Sequence, residues 1–119
     1  MQRAEKILRA YYEAMESQPF GFAHMICALD LSLNKPKEIV IVGRREDAGT
    51  VELLNEIHGQ YLPDNFLQLV APEQPIEQIS PLLQGKIQVG GKPTVYLCQN
   101  FTCSPPITTR DELRAALES

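Results

Sequence analysis

Three short apolar runs, Glu38-Ile39-Val40-Ile41-Val42-Gly43, Phe66-Leu67-Gln68-Leu69-Val70 and Thr94-Val95-Tyr96-Leu97-Cys98, recur along the chain with segments of helical spacing between them. Each is apolar at consecutive positions, the texture of a strand buried on both faces, as in a parallel sheet covered by helices. Between the first two runs, Val51, Leu54, Ile57 and Tyr61 form a helical stripe that Thr50 would cap. Between the second and third, Ile76, Ile79, Leu82 and Leu83 form a shorter stripe closed by Gly85. After the third, Thr109-Arg110-Asp111-Glu112 has the capping-box form ahead of Leu113, Ala116 and Leu117. This order predicts a three-layer α/β unit over 37–119, built on a small parallel sheet of three strands in the order 2-1-3. Gly90-Gly91 and Pro93 break segment 87–93, which reads as a loop or a short extended edge.

Upstream of the first run the pattern is purely helical. Ala4, Ile7, Leu8, Tyr11 and Met15 recur at helical period until Ser17-Gln18-Pro19, and Phe22, Met25, Ile26, Leu29 and Leu33 resume it until Asn34-Lys35-Pro36. Residues 1–36 therefore read as a helical hairpin. At 119 residues with 44% hydrophobic side chains, the chain is long and apolar enough for one packed core. A net charge of −4 provides no field that would attract nucleic acid or an anionic membrane surface. No apolar run is long enough for a membrane span. Three cysteines are too few for a secreted disulfide framework, and the charged N-terminal segment is no signal peptide, so a cytoplasmic location is expected.

Two places could carry chemistry. With strands in the order 2-1-3 and all parallel, Gly43 and the loop at Asn100 would meet at a switch point outside the strand ends, where open α/β sheets bind ligands. Gly43, Arg44, Arg45, Gly49 and Thr50 lie between a strand and a helix N-terminus, an arrangement that can hold a phosphate or carboxylate. Neither a dinucleotide fingerprint nor a P-loop is present there, and Glu46 and Asp47 offset the arginines, so a plain capped connection is the simpler reading. The second place is Cys98-Gln99-Asn100-Phe101-Thr102-Cys103. Two reduced structural thiols are the expectation for it, although the loop could fold back to close a disulfide, and redox activity of Cys98 and Cys103 is the alternative. Cys27 reads as a buried thiol within a helix. His24 and His58 are not at ligand spacing, which argues against a metal site, and no cofactor is implied. Asn100-Phe101-Thr102 matches a glycosylation acceptor that matters only in a secretory compartment.

Ile39-Val40-Ile41-Val42-Gly43, the block Gly91-Lys92-Pro93-Thr94-Val95-Tyr96-Leu97-Cys98-Gln99-Asn100-Phe101-Thr102-Cys103, and Pro105-Pro106-Ile107-Thr108 together resemble the C-terminal end of the thioredoxin-domain proteins related to spermatogenesis-associated protein 20. The resemblance implies a long parent: a thioredoxin-like domain, a central (α/α)6 toroid similar to six-hairpin glycosidases, and a small α/β region. On it, residues 1–36 correspond to the last toroid hairpin and 37–119 to the α/β region. The family's thioredoxin-type cysteines and the toroid cavity lie outside such a segment, so neither redox nor sugar chemistry transfers to named residues.

The expectation is therefore a non-catalytic accessory module, for packing or ligand sensing. A thiol-disulfide element at Cys98 and Cys103, and anion or nucleotide binding at loop 43–50, are the alternatives. A hairpin cut from a toroid would retain an apolar face, with Phe20, Phe22 and Leu33 as candidates. It would pack on the sheet, on the missing domains of its parent or on a second copy of the chain.

Overall fold

The structure, a computed structural model, describes residues 2–74 and 80–119. It divides into two compact units, residues 1–36 and 37–119.

The first unit is helical. Helix α1 (Gln2–Ala10) and helix α2 (Tyr12–Ser17) are separated only by a turn at Tyr11, across which the amide of Tyr11 still bonds the carbonyl of Ile7 and that of Met15 bonds Tyr11. A 3₁₀ turn at Pro19–Phe22 begins with the proline that ends the previous helix, since Pro19 has no N–H to continue it. Helix α3 (Ala23–Asn34) follows and ends at Lys35 in the left-handed conformation, with φ of 48°. Met15 is the buried residue of these elements, and Tyr11 and Phe22 stack at a tilt, centroids 6.2 Å apart.

The second unit is a four-stranded mixed sheet. Strands β1 (Lys37–Val42), β2 (Asn65–Val70), β3 (Thr94–Gln99) and β4 (Thr102–Cys103) lie in the order β2-β1-β3-β4. The sheet order differs from the expected three-stranded 2-1-3 by the added β4, and α4 (Ala48–His58) makes the crossover between the parallel neighbours β1 and β2. The all-parallel, three-stranded expectation is corrected: β3 runs antiparallel to β1, and a fourth, two-residue strand hairpins back on β3. A helix over the stripe from Ile76 to Leu83 would span only about 12 Å, against about 20 Å for a six-residue strand, so the β2–β3 connection offers no crossover helix of strand length. Ile76 and Ile79 lie outside the described residues. The remainder of that stripe is a single 3₁₀ turn, Pro81–Leu83, followed by Gly85 in the left-handed region expected of a terminating glycine.

The consecutive apolar positions of β1 and β3 are largely buried on both sides as their texture predicts, whereas in the edge strand β2 only Val70 is buried and Phe66 is exposed. Ile39, Ile41 and Val95 face α4 and helix α5 (Arg110–Glu118), packing with Leu53, Ile57, Ile107, Leu113 and Leu117. Val40, Val42, Val70, Tyr96 and Cys98 form the opposite face under Leu83. Among the described residues the layers are thus unequal, with two helices on one face and a 3₁₀ turn on the other. Segment 87–92 is tied to β3 by side chains: the Tyr96 hydroxyl donates to the carbonyl of Ile87 and the Thr94 hydroxyl accepts from the amide of Val89. Its tight turn uses Gly90 and Gly91, both at positive φ, between the bridged residues Val89 and Lys92.

Two helix readings need adjustment. The N-cap of α4 is Asp47 rather than Thr50, and Thr50 is fully buried one turn inside. The buried side of α4 is Thr50, Leu53, Glu56 and Ile57, whereas Val51 and Tyr61 of the expected stripe are exposed. The α5 start is as expected, with the Thr109 hydroxyl accepting from the amide of Glu112.

Candidate functional site

Because β3 is antiparallel, Val42 pairs with Thr94 and Glu38 with Cys98. Gly43 therefore lies beside Pro93 at one end of the sheet, and Asn100 lies at the other, about 20 Å away along the strands. The expected meeting of Gly43 with the Asn100 loop at a switch point does not occur, and the two candidate places are separate.

At the first end, Gly43 packs so closely that an added Cβ would fall 2.5 Å from the Thr50 hydroxyl and 3.2 Å from the Pro93 side chain. Gly49 also faces Pro93. Gly43, Gly49 and Thr50 are thus brought together, but as a closed corner around a proline. The Thr50 hydroxyl is buried with no hydrogen-bond partner among the described residues. Arg44 turns to Glu73, donating from Nε at 2.6 Å. The Glu73 carboxyl is held below the usual carboxylate range by its own backbone N–H and then by Arg44. Both side chains are more than half exposed, so this pair contributes little to stability. Arg45 is exposed.

Next to this corner, the N-termini of α4 and α5 border a shallow cleft of about 450 Å³ whose rim includes Gly49, Glu52, Pro93, Arg110 and Asp111. Two helix N-termini favour anions. The carboxylates of Glu52 and Asp111 oppose that preference, and Arg110 is engaged elsewhere. Its Nε donates to Glu56 at 2.6 Å, while Arg114 donates from two nitrogens to the same carboxylate at 2.8 and 2.9 Å. Hydrogen bonds from Arg114 and then Arg110 hold the Glu56 carboxyl at about 2. Sequence reading missed this cluster. Its local trace is Arg110 and Arg114 one helical turn apart, but their acceptor is 54 and 58 residues away in the chain.

At the second end, β3 and β4 are joined by a two-residue turn at Asn100 and Phe101, with φ of 52° and 63°. Two successive left-handed residues match the right-handed twist of a tight hairpin. Asparagine suits the position; a phenylalanine there is uncommon, and Phe101 is fully exposed. Cys98 and Cys103 stand opposite each other in the register, Cα atoms 4.0 Å apart, and are joined in a disulfide. The expectation of two reduced thiols is thus corrected. The turn residues bring the two cysteines into one cross-strand pair, as the fold-back alternative required. Cys98 is buried, at 2% exposure, and Cys103 is exposed. Beyond β4 the chain stays beside β3, Ser104 bonding Leu97 and Ile107 bonding Val95, with Pro105 and Pro106 interrupting the ladder at this sheet edge.

On the face that Cys98 shares with Tyr96, Lys86 is largely buried. Its ammonium donates to the carbonyl of Leu82 and lies 5.9 Å from the centroid of the Tyr96 ring. Burial pushes its pKa below the ordinary lysine value. Cys27, expected buried, is an exposed free thiol on α3. Among the described residues no three His, Cys, Asp or Glu side chains gather in a way that could hold a metal ion, and no helix is long and apolar enough to cross a membrane.

No family model matches the chain, and no solved structure matches it significantly. Curated proteins do. Over 98% of its length the chain is 32% identical to spermatogenesis-associated protein 20 of Homo sapiens and 33% identical to that of Rattus norvegicus. The Mus musculus protein matches at 32% over the same span. The chain covers 15% of the length of each of these relatives. Across essentially all of its residues, then, the chain is homologous to a segment of the much longer spermatogenesis-associated protein 20, and it belongs with that thioredoxin-domain-containing family, consistent with a C-terminal piece of such a protein.

Proposed function

We propose that this chain is a non-catalytic accessory module that packs, through its helical unit, against a helical surface of the longer protein of which its relatives' matching segments form 15%. The observation that carries this is the contrast inside residues 1–36. Their elements bury Met15, while Phe20 stays 98% exposed, Leu33 69% exposed, and Ile7, Tyr11 and Tyr12 about half exposed. Apolar side chains at helical spacing that are not used for an internal core are surface waiting for a partner. Most of the relatives' length lies outside the match, so the remainder of such a protein is the natural occupant.

Co-purification of the chain with the non-matching part of the human relative tests this. Retention by the native chain, with loss in a Phe20→Ser/Leu33→Ser variant whose melting temperature is unchanged, supports it. Equal retention of both forms, or no retention of the native chain, overturns it. Self-association of the native chain that is abolished in the variant, without any retention, would mean that a second copy is the occupant instead.

A further inference from the structure

We propose that the Cys98–Cys103 hairpin is a thiol–disulfide exchange site, in which a dithiol reductant attacks Sγ of Cys103 and Cys98 is the leaving thiol.

Three observations carry the assignment. The first is burial: of the two sulfurs in one bond, that of Cys98 belongs to a residue 2% exposed beneath the sheet face, while Cys103 is exposed on a two-residue edge strand. An attacking thiolate must approach along the S–S axis, and access decides which sulfur it reaches. The second is register. Gln99 and Thr102 flank the two-residue turn, so Cys98 and Cys103 are the next pair, a non-hydrogen-bonded one in an antiparallel ladder. Opening their bond therefore removes no backbone hydrogen bond from the hairpin. The third is position. A cross-link stabilises by restricting the unfolded chain, and it does so least when the closed loop is shortest; here the separation is 5 residues. A disulfide at this place is a poor staple and an accessible reagent.

The reaction balances without further components. A thiolate of the reductant bonds to Sγ of Cys103; the Cys98–Cys103 bond breaks, and its electron pair leaves on Cys98, which takes a proton from solvent. The second thiol of the reductant loses its proton and attacks the reductant's own sulfur in the mixed disulfide. That step releases Cys103 as a thiolate, which is protonated in turn. The reductant is oxidised by two electrons to a disulfide and the two cysteines are reduced. Oxidised glutathione reverses the sequence by the same exchanges.

The test uses the full chain with Cys27→Ser, which leaves only these two cysteines. Dithiothreitol is titrated, free thiols are trapped with a mass-tagging maleimide, and thermal unfolding is followed at each concentration. The expected result is full reduction while unfolding remains cooperative, and recovery of the disulfide with oxidised glutathione. In Cys98→Ser, oxidised glutathione should form a mixed disulfide with Cys103, releasing one reduced glutathione, roughly tenfold faster or more than with Cys98 in Cys103→Ser, because only the exposed thiol is reachable. Should either variant fail to fold, acid-quenched peptide mapping of the glutathione adduct in the two-cysteine chain replaces it, with the adduct expected on Cys103. Reduction only in denaturant, or an adduct equally on Cys98, overturns the proposal.

Discussion

The helical unit has the more apolar sequence, 19 of 36 residues against 33 of 83 in the α/β unit, yet it buries far less of it. In residues 1–36, helical stripes of five apolar residues each bury Met15 but leave Ile7 and Tyr11 about half exposed and Leu33 in solvent, and Phe20 between the stripes is exposed as well. In residues 37–119, the runs of β1 and β3 place Ile39, Val40, Ile41, Val42 and Val95 at 0 or 1% exposure, because a sheet buries both of its faces when something lies on each side. Two helices have one seam between them, and a stripe wider than that seam remains uncovered. Apolar content alone therefore does not say where a core will be. The number of layers available to cover it does.

Four variants sharpen or break that contrast. The largest effect is expected at Leu113, fully buried between α5 and the sheet: Leu113→Ala should cost about 3 kcal/mol in denaturant unfolding of the α/β unit. Next, Glu56 ties α4 to α5. Its folded pKa of about 2 lies below the unfolded value, so its contribution is present above about pH 4.5 and is lost as pH falls toward 2. Melting temperatures across that window should fall steeply in the native chain and less steeply in Glu56→Gln, which starts lower at neutral pH. Third, Phe101→Gly should stabilise the hairpin by about 1 kcal/mol, since glycine adopts φ of 63° freely and the phenylalanine ring is fully exposed. Smallest is Phe20→Ser with Leu33→Ser, expected to move stability of the isolated chain by less than about 0.5 kcal/mol while changing its association. A loss of several kcal/mol from that pair would erase the distinction between the two units.

How far the sequence could be read depended on how local each signal was. The Thr109 cap and the Gly85 stop are written within a few residues, and both are found where expected. The strands themselves were legible from runs of β-branched and aromatic residues. The direction of β3 was not, because the same residues suit either direction and only the connection between strands decides. The short stripe ending at Leu83 was its one local hint, since as a helix it falls short of a strand's length. The burial of Glu56 on α4 was not legible, because a charged residue inside a helix normally lies on the solvent side, and here two arginines from α5 cover it. The cysteine spacing permitted a disulfide without requiring one. The left-handed turn at Asn100 and Phe101 turned that permission into a pair, and no motif announces a phenylalanine in that conformation.

By itself, the sequence determined which segments are strands and helices, where several of them stop, and the kinship to a longer protein, because propensity, capping and apolar period act over a few residues at a time. Only the tertiary structure decided that β3 runs against β1, that Gly43 and Asn100 lie at opposite ends of the sheet, that Glu56 is clamped by Arg110 and Arg114, and that Cys98 meets Cys103 with one sulfur covered and the other open. Each of these depends on which surfaces are pressed together once the chain has collapsed, and the energy of that choice belongs to pairs of distant residues rather than to either one alone.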